Sequence, residues 1–174
     1  MRRCSICEVS VSELDQCAEV IRKGFGTVAD EFGLTVENCA SHGAFIKTER
    51  LLGDKERGSL MYALIVDDMI AGFMQLEKES DGQYILGKLA VLPEYRHHGY
   101  GTVLLEYAVK KVREIGGRKI LISIIESNTV LRNWYLEKGF VHVGTVKYEH
   151  LPFVVGFMEL SIDAYDEKSD FLRS

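Results

Sequence analysis

With 174 residues, 47% of them hydrophobic and 27% charged, the chain has the composition of an ordinary folded domain and is long enough to bury a core without disulfides or metal. Its net charge of −5 and its lack of any lysine- or arginine-rich stretch argue against nucleic acid as a partner. The longest apolar run, "LMYALIV" at 60–66, is about a third of a membrane span, and Glu8 breaks the first apolar stretch too early for a secretory segment.

The expectation is therefore a soluble, cytoplasmic protein, one domain over 1–163 followed by a polar tail over 164–174. "CSICEVSV" at 4–11 alternates like a strand. Behind a Ser12 cap, "SELDQCAEVIRKGF" places Leu14, Cys17, Ala18, Ile21 and Phe25 at helical spacing. The next stretch, from 26 to 47, reads as loop with brief helical turns, and "TERLLGDKERG" as a short polar helix. Three strands follow, "LMYALIV", "IAGFMQLEKE" and "QYILGKLAVL", with Asp67-Asp68 and Ser80-Asp81-Gly82 as the turns of an antiparallel meander. The third strand is apolar on both faces, which places it in mid-sheet, and Pro93 ends it. A helix from Gly99 to Ile115 with an inward stripe of Leu104, Leu105, Ala108, Val109, Val112 and Ile115 stops at Gly116-Gly117. "RKILISII" is a buried strand, 129–138 a short helix, and "FVHVGTVKYE" and "FVVGFMELSI" the last two strands.

Four cysteines, Cys4, Cys7, Cys17 and Cys39, all lie in the first quarter of the chain. Cys4 and Cys7 have C-x-x-C spacing, yet no second pair and no nearby histidine completes a metal site, so ordinary thiols of a reducing compartment are expected, and no metal.

Chemistry concentrates in "LAVLPEYRHHGYGTVLLEYA" at 89–108. The first turn of a helix leaves backbone N–H groups unpaired and carries partial positive charge, which stabilises an anion. Gly99 and Gly101 keep side chains out of the way, and Arg96 adds a cation. The stretch has neither the Lys-Ser/Thr pair of a P-loop nor the third glycine of the dinucleotide fingerprint. It reads as a diphosphate cradle of another kind.

"RHHGYG" matches the Arg/Gln-x-x-Gly-x-Gly/Ala signature of the GNAT family of N-acetyltransferases, "LAVLPEYR" resembles the family's lead-in, and "IIESNTVLRNWYLEKGF" is similar to its Asn-to-Tyr segment. The resemblance is strong over 60–160. It implies an α/β fold with a mixed sheet of seven strands and four helices, an antiparallel meander joined to a central parallel pair that splays at the cofactor. It also implies acetyl-CoA as cosubstrate, with its pantetheine arm on the backbone of Leu89, Ala90 and Val91, where an N–H would polarise the thioester carbonyl. The pyrophosphate would lie on the loop Arg96, His97, His98, Gly99, Tyr100, Gly101 and Thr102. Asn128 matches a cofactor contact, and Tyr135 matches the acid that protonates the departing thiolate. Seven residues apart, those two would share a helix face about 10 Å along the axis.

The base is open. Many family members carry a glutamate where this chain has Ile85 to Gly87, so Glu77 on the neighbouring strand is the first substitute, with His42, His150 or water as alternatives. No cysteine lies in the motif half, so direct attack by the amine in a ternary complex is expected over a covalent route. A primary amine of a small molecule is the expected acceptor, and Phe32 and Phe45 in the 26–56 segment favour a pocket. A peptide or protein amine and a non-catalytic acyl-CoA sensor are the alternatives, and similar proteins are frequently homodimers.

Overall fold

Strand β1 (Cys4–Glu8) leads through a 3-10 turn, Val11–Glu13, into helix α1 (Leu14–Phe32) in a computed structural model that describes residues 3–165. Most of the polar tail thus lies outside the described residues. The capping residue is Ser10 rather than Ser12: its backbone N–H and its hydroxyl donate to the Glu13 carboxylate at 2.8 and 2.9 Å. These bonds hold the Glu13 carboxyl below its ordinary pKa. Ser12 is the less suitable cap because it already lies inside the turn.

Helix α1 outruns its sequence pattern, continuing past Phe25 to Phe32 before Gly33, left-handed at φ 64°, caps it through an N–H bond to Ala29. Gly24 inside the helix serves packing, since a Cβ there would stand 3.0 Å from the Ala90 Cβ. Close approach of the helix to the strand outweighs glycine's poor helix propensity. A single turn, α2 (Val36–Cys39), a 3-10 turn, Gly43–Phe45, and helix α3 (Thr48–Glu56) follow.

The remaining strands are β2 (Leu60–Val66), β3 (Met69–Ser80), β4 (Gln83–Val91), β5 (Lys119–Ile125), β6 (Val141–Lys147) and β7 (Val154–Ser161), with helices α4 (Tyr100–Glu114) and α5 (Thr129–Glu137). All seven described strands form one sheet in the order β1-β2-β3-β4-β5-β7-β6, with β4 in the middle as expected. Asp67 and Asp68 are left-handed at φ 48° and 64°, the conformation of a tight hairpin turn. Strands β1, β2 and β3 pair antiparallel, β4 and β5 pair parallel through Gln83–Lys119, Tyr84–Ile120 and Ile85–Leu121, and β7 pairs antiparallel with both β5 and β6. The expected mixed α/β sheet with one parallel pair is what the chain builds.

The chain divides into two compact units, 1–77 with 86–108 and 78–85 with 109–174. In the first, Leu14, Cys17, Ile21, Leu51, Met61 and Phe73 form a buried cluster. Three long-range bonds tie its 26–56 segment down: Arg22 to the Ile46 carbonyl at 2.8 Å, Thr48 to Asp15 at 2.6 Å, and Lys55 to the Val9 carbonyl at 2.8 Å. In the second, Ile120, Ile122, Phe140, Met158 and Leu160 are buried, whereas Ile115, expected on the inward stripe, is 39% exposed because α4 ends one residue before it.

The first unit also holds a polar knot. Asp54, 4% exposed, accepts at Oδ2 from Lys88 Nζ at 3.0 Å and Gln75 Nε2 at 3.1 Å, and at Oδ1 from Arg50 Nε at 3.1 Å and from Arg57. Burial pushes the Asp54 carboxyl up, but the hydrogen bonds from Lys88 and Gln75 and the charges of Lys88 and Arg50 outweigh it, and the net direction is down. A carboxyl lowered in the folded state contributes stability that is present above its unfolded pKa, about 3.9, and is lost as pH falls through the folded value. Asp54→Ala strands the buried Gln75 amide and part-buried Lys88, and should cost about 3 kcal/mol in urea unfolding at pH 7. The loss should shrink below about pH 4; a pH-independent loss would mean that the ion pairs contribute nothing.

Candidate active site

In the first unit, β4 ends at Val91 and the chain turns through Pro93–Tyr95 into Arg96. His97 and Gly99 then adopt left-handed conformations, φ 62° and 82°, directly before α4. The bond from the Val103 N–H to the Gly99 carbonyl, 3.1 Å, closes the first turn. The N–H groups of Tyr100, Gly101 and Thr102 thus lie ahead of the first intrahelical bond. A Cβ at Gly99 would meet nothing within 4 Å, so the space beside the turn is open. Backbone donors, an open approach and the positive end of a 15-residue helix fit a diphosphate.

The side chains of this loop have separate tasks. The Arg96 guanidinium donates to the Gly24 carbonyl at 2.7 Å, the Thr27 hydroxyl at 2.9 Å and the Val91 carbonyl at 3.2 Å. It clasps the loop to α1 and to the end of β4, and these three bonds set where its charge lies. His98 Nδ1 faces the carbonyls of Arg96 at 2.6 Å and Tyr95 at 3.3 Å, so Nδ1 must be a donor. Tyr100 is buried and rests near Tyr95, at 6.4 Å between centroids, with His98 stacked over it at 6.1 Å; its contribution to an anion is its backbone N–H. Exposed His97 is free to reach solvent anions.

Upstream on β4, Ala90 and Val91 are buried and Leu89 is half-buried. Lys88 just before them is left-handed at φ 52°, an irregularity that the two-faced apolar pattern of "QYILGKLAVL" does not disclose.

In the second unit, Asn128 opens α5 as expected: its side chain accepts from the Leu131 N–H at 3.2 Å, and it is 9% exposed. Tyr135 lies on α5, 6% exposed, held edge-on between Trp134 at 4.9 Å and Phe140 at 5.0 Å. Burial alone pushes its hydroxyl pKa up, so the proton stays on oxygen across the working pH range and the group is a standing donor. A cluster that sequence reading missed flanks the start of α5: Glu126 accepts from Arg132 at 2.9 Å and meets His142 Nε2 at 2.9 Å. The bond to His142 leads the causes that lower the Glu126 carboxyl. Only the Glu126-to-Arg132 spacing was legible; the His142 contact depends on β6.

The candidate bases differ sharply. Glu77 is exposed on β3, two residues past buried Gln75. His42 lies half-buried against Phe25 at 5.5 Å and Phe45 at 6.3 Å, and burial lowers its pKa. Its Nδ1 accepts from the Ala44 N–H at 3.3 Å, so its proton is on Nε2 and the ring is arranged to donate. His150 is exposed beside Tyr148. Among the cysteines, Cys17 is fully buried and its thiol is pushed up to about 12 by burial first and Glu13 second. Among the described residues no group of three or more His, Cys, Asp or Glu could hold a metal, and no helix is long and apolar enough to cross a membrane.

A strand that runs into an open helix start, on a mixed sheet with one parallel pair, is the architecture on which the comparisons with known proteins converge. The Acetyltransferase (GNAT) family model matches residues 25–140. An uncharacterised N-acetyltransferase of Lactobacillus delbrueckii subsp. lactis, encoded in the pepI 3' region, is 28% identical over 96% of this chain and 94% of its own. The crystal structure of PaiA N-acetyltransferase from Thermoplasma acidophilum, in complex with coenzyme A, superposes with a TM-score of 0.77 at 22% identity, covering 91% of this chain and 99% of that one. The ribosomal-protein-S18-alanine N-acetyltransferase of Escherichia coli follows at 0.74 and 15% identity, covering 92% and 94%. The chain belongs to the GNAT family and is an N-acetyltransferase, an acyltransferase enzyme.

Proposed function

We propose that this enzyme transfers the acetyl group of acetyl-CoA to a primary amine of a small molecule, by direct attack in a ternary complex. The observation that carries the reading is the paired left-handed turn at His97 and Gly99, feeding the open start of α4 directly after β4. In this reading the loop Arg96–Thr102 holds the pyrophosphate through its backbone, Leu89, Ala90 and Val91 pair with the pantetheine arm, and Asn128 adds a contact. Acetyl-CoA supplies the activated acyl group when bound. An N–H of the 89–91 strand polarises the carbonyl, and Tyr135 donates to the leaving sulfur.

An alkyl ammonium must lose a proton before it can attack. Glu77 is the side chain proposed for this, directly or through water. His42 and Phe45 of the 26–56 segment make a half-buried aromatic group with Phe25 of α1, which supports a lined pocket for a small amine. One domain over 1–163, a cytoplasmic setting and a homodimer complete the proposal.

Gly99→Val tests the cradle: a β-branched residue resists a positive φ and fills the open approach, so coenzyme A should bind about tenfold or more weakly. An unchanged Kd by calorimetry would remove the loop from cofactor binding. The acceptor is tested by a panel of small amines and peptides with acetyl-CoA and a thiol-release readout. Release with small amines supports the proposal, release with peptides alone replaces it with a peptide acetyltransferase, and coenzyme A binding without release replaces it with a sensor.

A further inference from the structure

Lys88 is the one non-glycine residue inside a described strand with a left-handed backbone; Asp67 and Asp68 lie in a turn and His97 in a loop. Lysine is a poor occupant of that conformation, because its Cβ crowds the following carbonyl and its side chain cannot bond locally to compensate as Asn or Asp does. Its side chain reaches out of the strand to Asp54 on α3, whose own side chain is 5% exposed and meets Lys88 Nζ at 3.0 Å. Arg50 and Arg57 reach the same carboxylate from within one turn, and both are 65% exposed. Lys88, 22% exposed, is the cation that ties the carboxylate to another part of the chain. Gln75 braces the arrangement from β3, donating from Nε2 to Asp54 at 3.1 Å and to Ser59 at 3.3 Å.

We infer that Asp54 is a positioning residue for acyl transfer: through its ion pair with Lys88 it locks the left-handed turn of β4, and so sets the direction of the backbone N–H groups of Leu89, Ala90 and Val91. The inference rests on the assignment of that strand to the thioester. A left-handed residue re-aims the peptide groups that follow it, and an oxyanion donor works only when aimed at the developing charge. Asp54 touches no substrate in this account. Its effect passes through Lys88.

The test exploits the difference between glycine and alanine. Neither can reach Asp54, which keeps Arg50, Arg57 and Gln75 in both variants, but glycine accepts the left-handed conformation freely and alanine does not. Lys88→Gly should therefore exceed Lys88→Ala in kcat by about tenfold, the reverse of the usual ranking of those residues in a strand. Because the same N–H groups pair with the pantetheine arm in that reading, Lys88→Gly should also bind coenzyme A more tightly than Lys88→Ala, but by a smaller factor than the difference in kcat. Asp54→Asn should lower kcat about tenfold in the natural sequence, and less than threefold in the Lys88→Gly background. Equal kcat for the two Lys88 variants, or equal losses from Asp54→Asn in both backgrounds, overturns the inference. If Asp54→Asn does not fold, the Lys88 pair decides alone. Wild-type binding of coenzyme A is measured first; its absence sinks the functional reading instead, and the lock is then judged by urea unfolding, where Lys88→Gly must still prove more stable than Lys88→Ala.

Discussion

Tyr135→Phe should lower kcat by roughly 100-fold or more while leaving the Kd for coenzyme A within about threefold of wild type. The substitution removes one oxygen. Phenylalanine keeps the edge-on contacts with Trp134 and Phe140, which the ring makes and not the hydroxyl. Burial is the whole cause of the raised Tyr135 pKa, with no hydrogen bond or charge contributing, so the variant strands no partner and should be at least as stable as the parent in urea. A drop in turnover then reports the loss of a donor at the leaving sulfur. Unchanged kcat with the preferred amine would remove Tyr135 from the mechanism.

The same burial makes a statement about pH. A tyrosine raised in the folded state contributes stability that is intact below its unfolded pKa, about 10, and is lost as pH rises towards the folded value. Tyr135 therefore remains a donor throughout the neutral and mildly alkaline range. A falling alkaline limb of kcat between pH 8 and 10 would have to come from another group. Loss of that limb in Tyr135→Phe would contradict the raised pKa.

Local rules found most of the sheet: runs of apolar residues punctuated by Asp67-Asp68, Gly82 and Gly116 fix strands whose ends the structure shifts by a residue or two, except β1, which stops at Glu8, three residues short of the expected Val11. The start of α4 and the Asn128 cap were also visible, because a helix terminus is written in its own few residues. What sequence could not disclose depends on distant partners. Helix α1 continues through Gly24 because Ala90, far along the chain, needs the space. Lys88 looks like any exposed strand lysine until Asp54 is placed beneath it. The environment of His42 is hidden for a similar reason: it is half-buried, and one backbone N–H donates to its Nδ1, and neither is encoded in "CASHGAF".

Arg96 is the residue whose sequence reading the geometry refines most, and its replacement is the second large effect to expect. A surface cation that merely attracts phosphate would be replaceable by lysine, and its loss would flatten the salt dependence of coenzyme A binding. Arg96 instead spreads three donors over the Gly24 carbonyl, the Thr27 hydroxyl and the Val91 carbonyl. A single ammonium cannot span those three acceptors, whereas a planar guanidinium can. Arg96→Lys should accordingly weaken coenzyme A about as much as Arg96→Ala, by roughly 30- to 100-fold, because the loop loses the clasp that holds its left-handed turn ready. Both variants should also lose about 2 kcal/mol of stability, since charge-assisted bonds to backbone carbonyls are among the stronger ones. The slope of log Kd against log salt should stay near that of the wild type. Full affinity in Arg96→Lys, or a slope reduced in both variants, would show that the guanidinium acts on the cofactor by charge and that its bonds to α1 are incidental.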